Sequence, residues 1–587
     1  MMQPSKLSAL RSKSFMRNTA LLLPFFGVMA LIGGALSDAK AAIEIPSTAQ
    51  PGQIEKRFEP EVQPVPNTLQ LNIPAPVESQ QISDAQRAQL EKAKFVLQSL
   101  DLEGATVFSP ADFTPLYEAK IGQTISLLDA KEIANKITDM YRDKGYILSQ
   151  AIVPAQTVTD GVLKIRAVEG YISTVVFEGS ASDAAEQASL QTYADKISSD
   201  RPAQMADIER YMLLMNDMPG ATVTGLIRPA QDTVGAADLV LTVHEKKYEG
   251  SYQFDNRGSR YIGPWQHTFM LGANSLIDSF DHTQVRVETA DPFKELFGIE
   301  AEHDEILDSE GTKLSLLGSH TRTQPGGDLS QLNVIGNSDL LEAKLSHPFV
   351  RLRQDSVVGR IAFDVHNTTT DVFSNEALAT DRLRIARVGG NYSFLDTARG
   401  SDSIDVQLSQ GMNIFNATSS GDARSNAFGD SAFTKTNFDL SRLQQLPHKL
   451  SLLTSATGQY SFDPLLTDEQ FSLGGTEYGR AFDPGEVLGD SGIAGKAELR
   501  YSDSVGEAYF QTYQLYGFFD VGEVWIRNSP AGASPVSLSS TGVGTRVNFT
   551  DYLSSSFEVS VPTIKPNSDA TSYRHSPRLF FTLSAHF

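Results

Sequence analysis
The last ten residues, Arg578-Leu579-Phe580-Phe581-Thr582-Leu583-Ser584-Ala585-His586-Phe587, decide the fold. In a strand, residues two apart share a face. Leu579, Phe581, Leu583, Ala585 and Phe587 therefore form one apolar face, and Arg578, Thr582, Ser584 and His586 share the other with Phe580. A strand between lipid and an aqueous lumen needs this division, and here it ends on an aromatic residue. The same parity recurs upstream. In 508–525, Tyr509, Tyr513, Leu515, Phe519 and Val521 point one way, and Thr512, Gln514, Phe518 and Asp520 the other. In 493–501, Lys496, Glu498 and Arg500 oppose Ala497, Leu499 and Tyr501.

Alternating segments run from residue 248 to the end, separated by turn residues, and no helical periodicity interrupts them. They number about sixteen, an even count of the kind that single-chain outer-membrane barrels have. The sixth is predicted at 340–350 and the eighth at 382–396. Connections of mixed length fit short turns at one rim and longer loops at the other, the longest being 463–492 after the eleventh strand. A soluble β-sandwich would share the alternation but not sixteen long strands, an aromatic terminus and an export signal together.

That signal is at the other end of the chain. Lys6, Arg11, Lys13 and Arg17 precede the apolar run 20–36, and Ala39-Lys40-Ala41 forms an A-x-A cleavage site, so 1–41 reads as a signal peptide. The chain has 587 residues, no cysteine and a net charge of −22. The missing cysteines exclude disulfides, thiolate metal sites and a cysteine nucleophile. The negative charge argues against nucleic-acid binding, which needs a basic surface. Hydropathy is slightly negative, as suits a barrel whose strands meet lipid with alternate residues only.

Between signal and barrel lie three regions. Residues 42–93 are Pro-rich, with room for one short helix at 52–58 and another at 84–93 capped by Ser83. Residues 94–170 read as α+β: a strand at 95–100, an amphipathic helix at 127–145 and strands at 147–153 and 162–168. Residues 171–247 repeat the order, with a strand at 172–177, helices at 184–197 and 205–215, and strands at 221–227 and 237–243. The domain plan is thus 1–41, 42–93, 94–170, 171–247 and 248–587.

Several motifs carry a resemblance. The block Gly145-Tyr146, Ser149, Ala151-Ile152-Val153-Pro154-Ala155-Gln156-Thr157-Val158, Gly161-Val162-Leu163 and Val168-Glu169-Gly170-Tyr171-Ile172 resembles the end of one POTRA domain running into a second. Leu213–Gly220 and Gly225–Pro229 fit the second domain, with Pro229-Ala230 where Pro-Gly is common. Tyr478-Gly479-Arg480-Ala481-Phe482 resembles a Val-Arg-Gly-Tyr loop motif, with Ala481 for the usual glycine. Phe518-Phe519-Asp520-Val521-Gly522 matches a Phe-x-Asp-x-Gly motif on the thirteenth strand. Together these motifs resemble the outer-membrane transporters of two-partner secretion, of the ShlB/FhaC/HecB haemolysin secretion/activation type, relatives of BamA-like proteins.

The resemblance implies a 16-stranded antiparallel membrane β-barrel behind two periplasmic α+β POTRA domains, with a helix near 51–58 plugging the lumen. It implies that the long loop folds inward and that Arg480 pairs with Asp520, with Gly479 and Phe482 completing the loop motif and Phe518 and Gly522 the wall motif. An Arg–carboxylate pair suits a latch because it fixes orientation as well as charge. An unfolded passenger (an adhesin, haemolysin or toxin) would add as a strand to a POTRA edge, where main-chain hydrogen bonds give affinity with little sequence demand. Met205, Tyr211, Val223 and Leu226 are the candidate contacts. Lipid and lipopolysaccharide would surround a monomeric barrel, and assembly machinery would read Phe581 and Phe587 in the last strand. No GxxxxGK[ST], G-x-S-x-G or H-E-x-x-H motif is present, so transport without nucleotide hydrolysis, and no enzyme, metal or cofactor, is expected. His303-Asp304-Glu305 reads as a solvated acidic patch. A barrel-assembly factor of the same superfamily is the alternative, and such factors tend to carry more than two POTRA domains.

Overall fold
The computed structural model describes residues 45–56, 71–72, 83–179, 184–230, 233–373, 376–527, 535–566 and 577–587. The expected signal peptide and much of the Pro-rich region lie outside the described residues.

Sixteen antiparallel strands close a barrel in sequence order. They are β1 (Tyr248–Asp255), β2 (Trp265–Asn274), β3 (His282–Asp291), β4 (Leu296–Ile306), β5 (Lys313–Thr323), β6 (Ile335–Arg351), β7 (Asp355–Val372), β8 (Glu376–Leu395), β9 (Gly400–Gly411), β10 (Thr434–Gln445), β11 (Leu450–Ser461), β12 (Ser491–Glu507), β13 (Phe510–Trp525), β14 (Val536–Asn548), β15 (Leu553–Ile564) and β16 (Arg578–His586). β16 returns to β1, with Ser251 opposite His586 and Asp255 opposite Thr582. Closure removes the free edges that an open sheet would expose.

Exposure follows the parity of the sequence. Leu499, Leu515, Phe519 and Leu579 lie open on the outside, while Glu498, Tyr516, Phe518, Asp520 and Phe580 are buried inside. A belt of exposed aliphatic and aromatic side chains over a polar interior is a lipid-facing surface. Phe580, the apolar exception on the inner face, lies under the guanidinium groups of Arg257 and Arg578, 4.7 and 4.9 Å from its ring centre.

Two strands begin earlier than their alternation predicts. β6 starts at Ile335 and β8 at Glu376. The added residues are held by polar neighbours: Thr380 N–H donates to Ala423 O at 2.9 Å, and Asp381 accepts the amide of Ser425 at 3.1 Å. Where lipid does not select the outer residues, alternation fades while strand pairing continues.

The barrel is preceded by two α+β units. In the first, helix Leu127–Asp143 buries Ile133, Ile137 and Tyr141. Its start is a capping box: Ser126 Oγ accepts Asp129 N–H at 3.2 Å and Asp129 accepts Ser126 N–H at 2.8 Å. The strand predicted at 95–100 is two strands, Lys94–Val96 and Ser99–Glu103, in separate sheets. Leu97 N–H donates to Gln123 O and Gln98 N–H to Gly161 O, so the chain changes partner between them.

In the second unit, helices Ala184–Ser199 and Met205–Asn216 cover strands Tyr171–Gly179, Ala221–Pro229 and Ala236–Glu245. A fourth strand, Leu71–Asn72 from the Pro-rich region, runs parallel to the outer edge of Ala221–Pro229. Residues of the POTRA-like block join the two units. Gly145 O accepts Met205 N–H, and Gly170 O accepts Ala203 N–H, both at 2.9 Å. Glu169 accepts Tyr141 Oη and Thr106 N–H, each at 2.7 Å.

The second unit also grips one barrel rim. Glu310, in the β4–β5 turn, accepts from Lys196 at 2.9 Å, Arg210 at 3.1 Å and Tyr211 at 3.1 Å. Arg351 donates twice to Asp217, at 2.6 Å each, and Arg353 pairs with Glu209 at 2.9 Å.

Candidate functional site in the barrel lumen
The connection from β11 to β12 folds back into the barrel. A small hairpin, Phe471–Leu473 with Val487–Gly489, carries its tip. Gly479 has φ +85°, and a Cβ there would sit 2.6 Å from Leu538 Cδ1, so the turn requires glycine. In this conformation Gly479 N–H donates to Asp520 Oδ1 at 2.8 Å and Arg480 N–H approaches Oδ2 at 3.5 Å.

The expected Arg480–Asp520 pair is present only as a long ion pair, and the shorter contacts of the guanidinium go elsewhere. Arg480 Nε stands 3.9 Å from Asp520, while its Nη1 donates to Glu498 at 2.7 Å and lies 3.4 Å from Glu558. The backbone of the loop engages Asp520 first, so the guanidinium extends past it, across the Phe518 ring at 4.1 Å, to Glu498 on β12. Arg500 and Arg546 also bind Glu498, at 2.7 and 2.8 Å, and Tyr516 Oη donates to Glu558 at 2.9 Å. Arg480, Glu498, Asp520 and Glu558 are all buried. Parity alone placed Glu498 inward, but nothing in the sequence designated it as the partner.

The rest of the tip is seated by packing. Phe482 joins Leu473, Ala481, Ala494, Val524 and Leu538 in one apolar cluster. Ala481, in the usual glycine position, donates its N–H to Ser540 at 3.1 Å. A Cβ at Gly522 would lie 2.7 Å from Leu473, so this wall glycine makes room for the hairpin. Asp483 pairs with Arg578 of the final strand at 2.7 Å.

A second anchor escaped sequence reasoning. At the shoulder of the loop, Glu469 binds Arg387 at 2.9 Å and Lys435 at 2.7 Å, while Arg387 also binds Asp364 at 2.5 Å. Asp468 accepts Thr368 Oγ1 at 2.5 Å. The tip is thus fixed to β12–β16 and the shoulder to β7, β8 and β10. The Asp468-Glu469 doublet was the available signal, but its partners lie in strands with no motif.

The short helix Pro51–Glu55 sits between this loop and the wall. Glu55 accepts Ser338 Oγ at 2.8 Å, bonds to Ser319 and lies 3.4 Å from His366. Gln53 donates to Thr467 O at 2.5 Å, Ser47 Oγ to Gly485 O at 2.6 Å, and Lys56 to Gln470 O at 3.2 Å. A Cβ on Gly52 would fall 2.0 Å from Asp468 Oδ1, so helix and loop touch backbone to side chain.

Other predicted residues divide. Val223 is buried in the core of the second α+β unit, so its side chain cannot meet a partner. Tyr211 holds Glu310, and Met205 lies at the joint between the units. Leu226 alone of the four is exposed. Phe587 exchanges backbone hydrogen bonds with Gly250, while Phe581 O accepts Asn256 N–H at 3.3 Å and Phe581 N–H donates to Asn256 Oδ1 at 2.7 Å, so both help close the seam. His303 bonds to Thr283 at 2.9 Å, and Asp304 pairs with Lys313 at 3.0 Å.

The profile described as haemolysin secretion/activation protein ShlB/FhaC/HecB matches residues 235–547, over half of the chain. The chain belongs to that family. A ShlB-type POTRA domain matches residues 95–170. As a ShlB/FhaC/HecB protein, the chain is an outer-membrane β-barrel transporter of two-partner secretion with its POTRA domains in the periplasm. The heme/hemopexin transporter protein HuxB of Haemophilus influenzae (strain 86-028NP) is 23% identical over 544 residues, covering 91% of this chain and 94% of that one. The outer membrane transporter CdiB of Escherichia coli O6:K15:H31 (strain 536 / UPEC) is 25% identical over 496 residues, covering 81% and 80%. The solved structure of CdiB from Escherichia coli superposes with a TM-score of 0.69 at 21% identity, covering 96% of this chain and 100% of that one.

Proposed function
We propose that this chain carries an unfolded exported protein from its POTRA domains through the barrel lumen to the cell surface, without nucleotide hydrolysis. The observation that carries the reading is the double stopper: a helix and an inward-folded loop, bonded to each other and to opposite walls, fill the lumen of a family transporter. Such a barrel is closed at rest by polar contacts that a passenger must displace. With no nucleotide motif in the chain, directionality would come from folding outside the cell. The passenger is an adhesin, haemolysin or toxin in this reading, and relatives named as a hemolysin transporter and a heme/hemopexin transporter support an exported protein of that kind.

Under this reading, the barrel meets lipid and lipopolysaccharide, acts as a monomer and is inserted by assembly machinery that reads Phe581 and Phe587. The test is to delete the gene and assay the medium for the large exported protein encoded beside it. That protein should be lost from the medium and return on complementation. Normal export in the deletion strain would reject the reading.

A further inference from the structure
The strand registers set residues of β5 to β8 side by side on the outer wall. Gly318, Leu341, Val365 and Arg384 form one row across the four strands. The next row toward the cell surface is His320, Asp339, Asn367 and Arg382, and the next row toward the periplasm is Leu316, Ala343, Phe363 and Ala386. Leu316 and Leu341 are exposed, so by parity all three rows lie outside. The wall thus turns from apolar to polar at the row that ends in Arg384. β8 reaches the periplasmic rim after Leu395, the same rim that Glu310 ties to the second POTRA domain. Arg384 stands eleven residues above Leu395 (384 to 395), about 28 Å for a strand tilted by roughly 40°. The apolar band of an outer-membrane barrel is about 25 Å tall, so this row marks the outer edge of the bilayer.

A groove of about 400 Å³ opens here, between Leu316, Leu341, Phe363 and Val365 and over Gly318. Residue 318 has no side chain to fill it, and a Cβ there would meet only Leu341 Cδ2, at 3.3 Å. At the head of the groove Arg384 is 6% exposed. Its Nη1 donates to Asn367 Oδ1 at 3.0 Å and to Leu383 O at 2.6 Å. Its Nε and Nη2 have no acceptor among the described residues, and no carboxylate there pairs with it. A buried guanidinium without an anion is costly. Arg382, one row above, is already taken by Asn416 O at 2.6 Å and Asp422 at 3.5 Å. Arg322, two rows above Gly318 on β5, is exposed and also lacks an acidic partner among the described residues.

We propose that this boundary is a binding site for lipopolysaccharide of the outer leaflet, with an acyl chain in the groove and a phosphate on Arg384. The proposal rests on the reading that the barrel meets lipopolysaccharide, and it gives that contact an address. The free Nε and Nη2 of Arg384 form one edge of its planar fork, which matches two phosphate oxygens. Arg322 is a second cation for a headgroup that carries two phosphates. The apolar residues of the groove lie on the periplasmic side of Arg384, which is the direction that acyl chains take from an outer-leaflet headgroup.

The probe is diphosphoryl lipid A, titrated into full-length protein in detergent and counted by native mass spectrometry. Dephosphorylated lipid A and phosphatidylglycerol are the comparisons. The wild type is expected to bind diphosphoryl lipid A about tenfold more tightly than either. Arg384→Gln should erase the preference for phosphate. Gly318→Ile, which fills the groove, should weaken binding of both forms of lipid A. Heat-modifiable mobility on gels checks that each variant is folded. An undiminished phosphate preference in Arg384→Gln, unchanged affinity in Gly318→Ile, or equal binding of phosphatidylglycerol by the wild type would overturn the inference. Lipopolysaccharide that co-purifies from outer membranes separates the two readings: an equal amount with the wild type and Arg384→Gln rejects this site but leaves the contact standing, whereas none with the wild type rejects both.

Discussion
Arg480 spans three carboxylates without forming the simple pair that its motif suggests. Its guanidinium is shared between Glu498 and Glu558 and lies over Phe518, while Asp520 is held by the amides of Gly479 and Arg480. Substitutions at Arg480 and at Asp520 should therefore fail differently. Arg480→Ala leaves Glu498 with Arg500 and Arg546, but removes the loop's only guanidinium from the wall. Removing one partner of a buried ion pair costs about 3–5 kcal/mol. Residues 471–490 should become protease-sensitive while the barrel keeps its heat-modifiable mobility on gels, and export should drop. Arg480→Lys should not restore export, because the shorter lysine has no flat cation to lay across the Phe518 ring while its terminal nitrogen reaches Glu498 and Glu558, as Arg480 Nη1 does. Asp520→Asn should be milder than Asp520→Ala, since the amide oxygen still accepts the Gly479 N–H. Equal export by Asp520→Asn and Asp520→Ala would show that this hydrogen bond does not seat the tip.

At the scale of elements, two contacts fix POTRA geometry. The capping box of helix Leu127–Asp143 ends on Asp129, whose carboxyl is held well below the ordinary range by hydrogen bonds from Lys120 and Ser126. Asp129→Ala should cost about 0.5–2 kcal/mol, seen as faster amide exchange in the first turn of that helix in the full-length protein. The second contact is Glu310. Burial alone would push its carboxyl up, but Lys196, Arg210 and Tyr211 outweigh that and hold it below its usual value. A depressed carboxyl stabilises docking above the ordinary carboxylate pKa and loses that contribution as pH falls through the lowered value. Docking of the second POTRA domain should therefore be steady at neutral pH and weaken only in acid. Each exposed pair contributes about 0.2–1 kcal/mol, so high salt or Glu310→Gln should loosen the joint without unfolding either part. Spin labels on helix Met205–Asn216 and on β5 would report a broadened distance distribution, and an unchanged one would show that Glu310 does not hold the joint.

At the scale of the whole molecule, helix and loop form one stopper pinned to opposite walls. Removing residues 45–56 takes away the Glu55, Gln53, Ser47 and Lys56 contacts together. Planar-bilayer recordings of that deletion should show larger and more frequent openings than the wild type. Adding Glu469→Gln to it should raise conductance further, because the shoulder of the loop then loses its charge-paired hold on Arg387 and Lys435. Indistinguishable conductance of the deletion and the wild type would mean that the helix does not occlude the pore.

By itself the sequence determined the barrel, its strand number, the inward face of the strands read by parity and the position of the long loop, whose inward fold only the family motif implied. Lipid on one side and water on the other impose a two-residue period that survives in Leu579 to Phe587 and in Leu515 to Val521. Helix caps and loop motifs are equally local, so the Ser83 cap and Gly479 are legible in the sequence. Tertiary structure decided the partners. Arg480 reaches Glu498, Glu469 reaches Arg387 and Lys435, and Leu71 finds Gly225, each across a separation that no local pattern encodes. Those choices depend on which side chains closure brings face to face across the lumen or along an open sheet edge, and on which donors have already claimed each carboxylate.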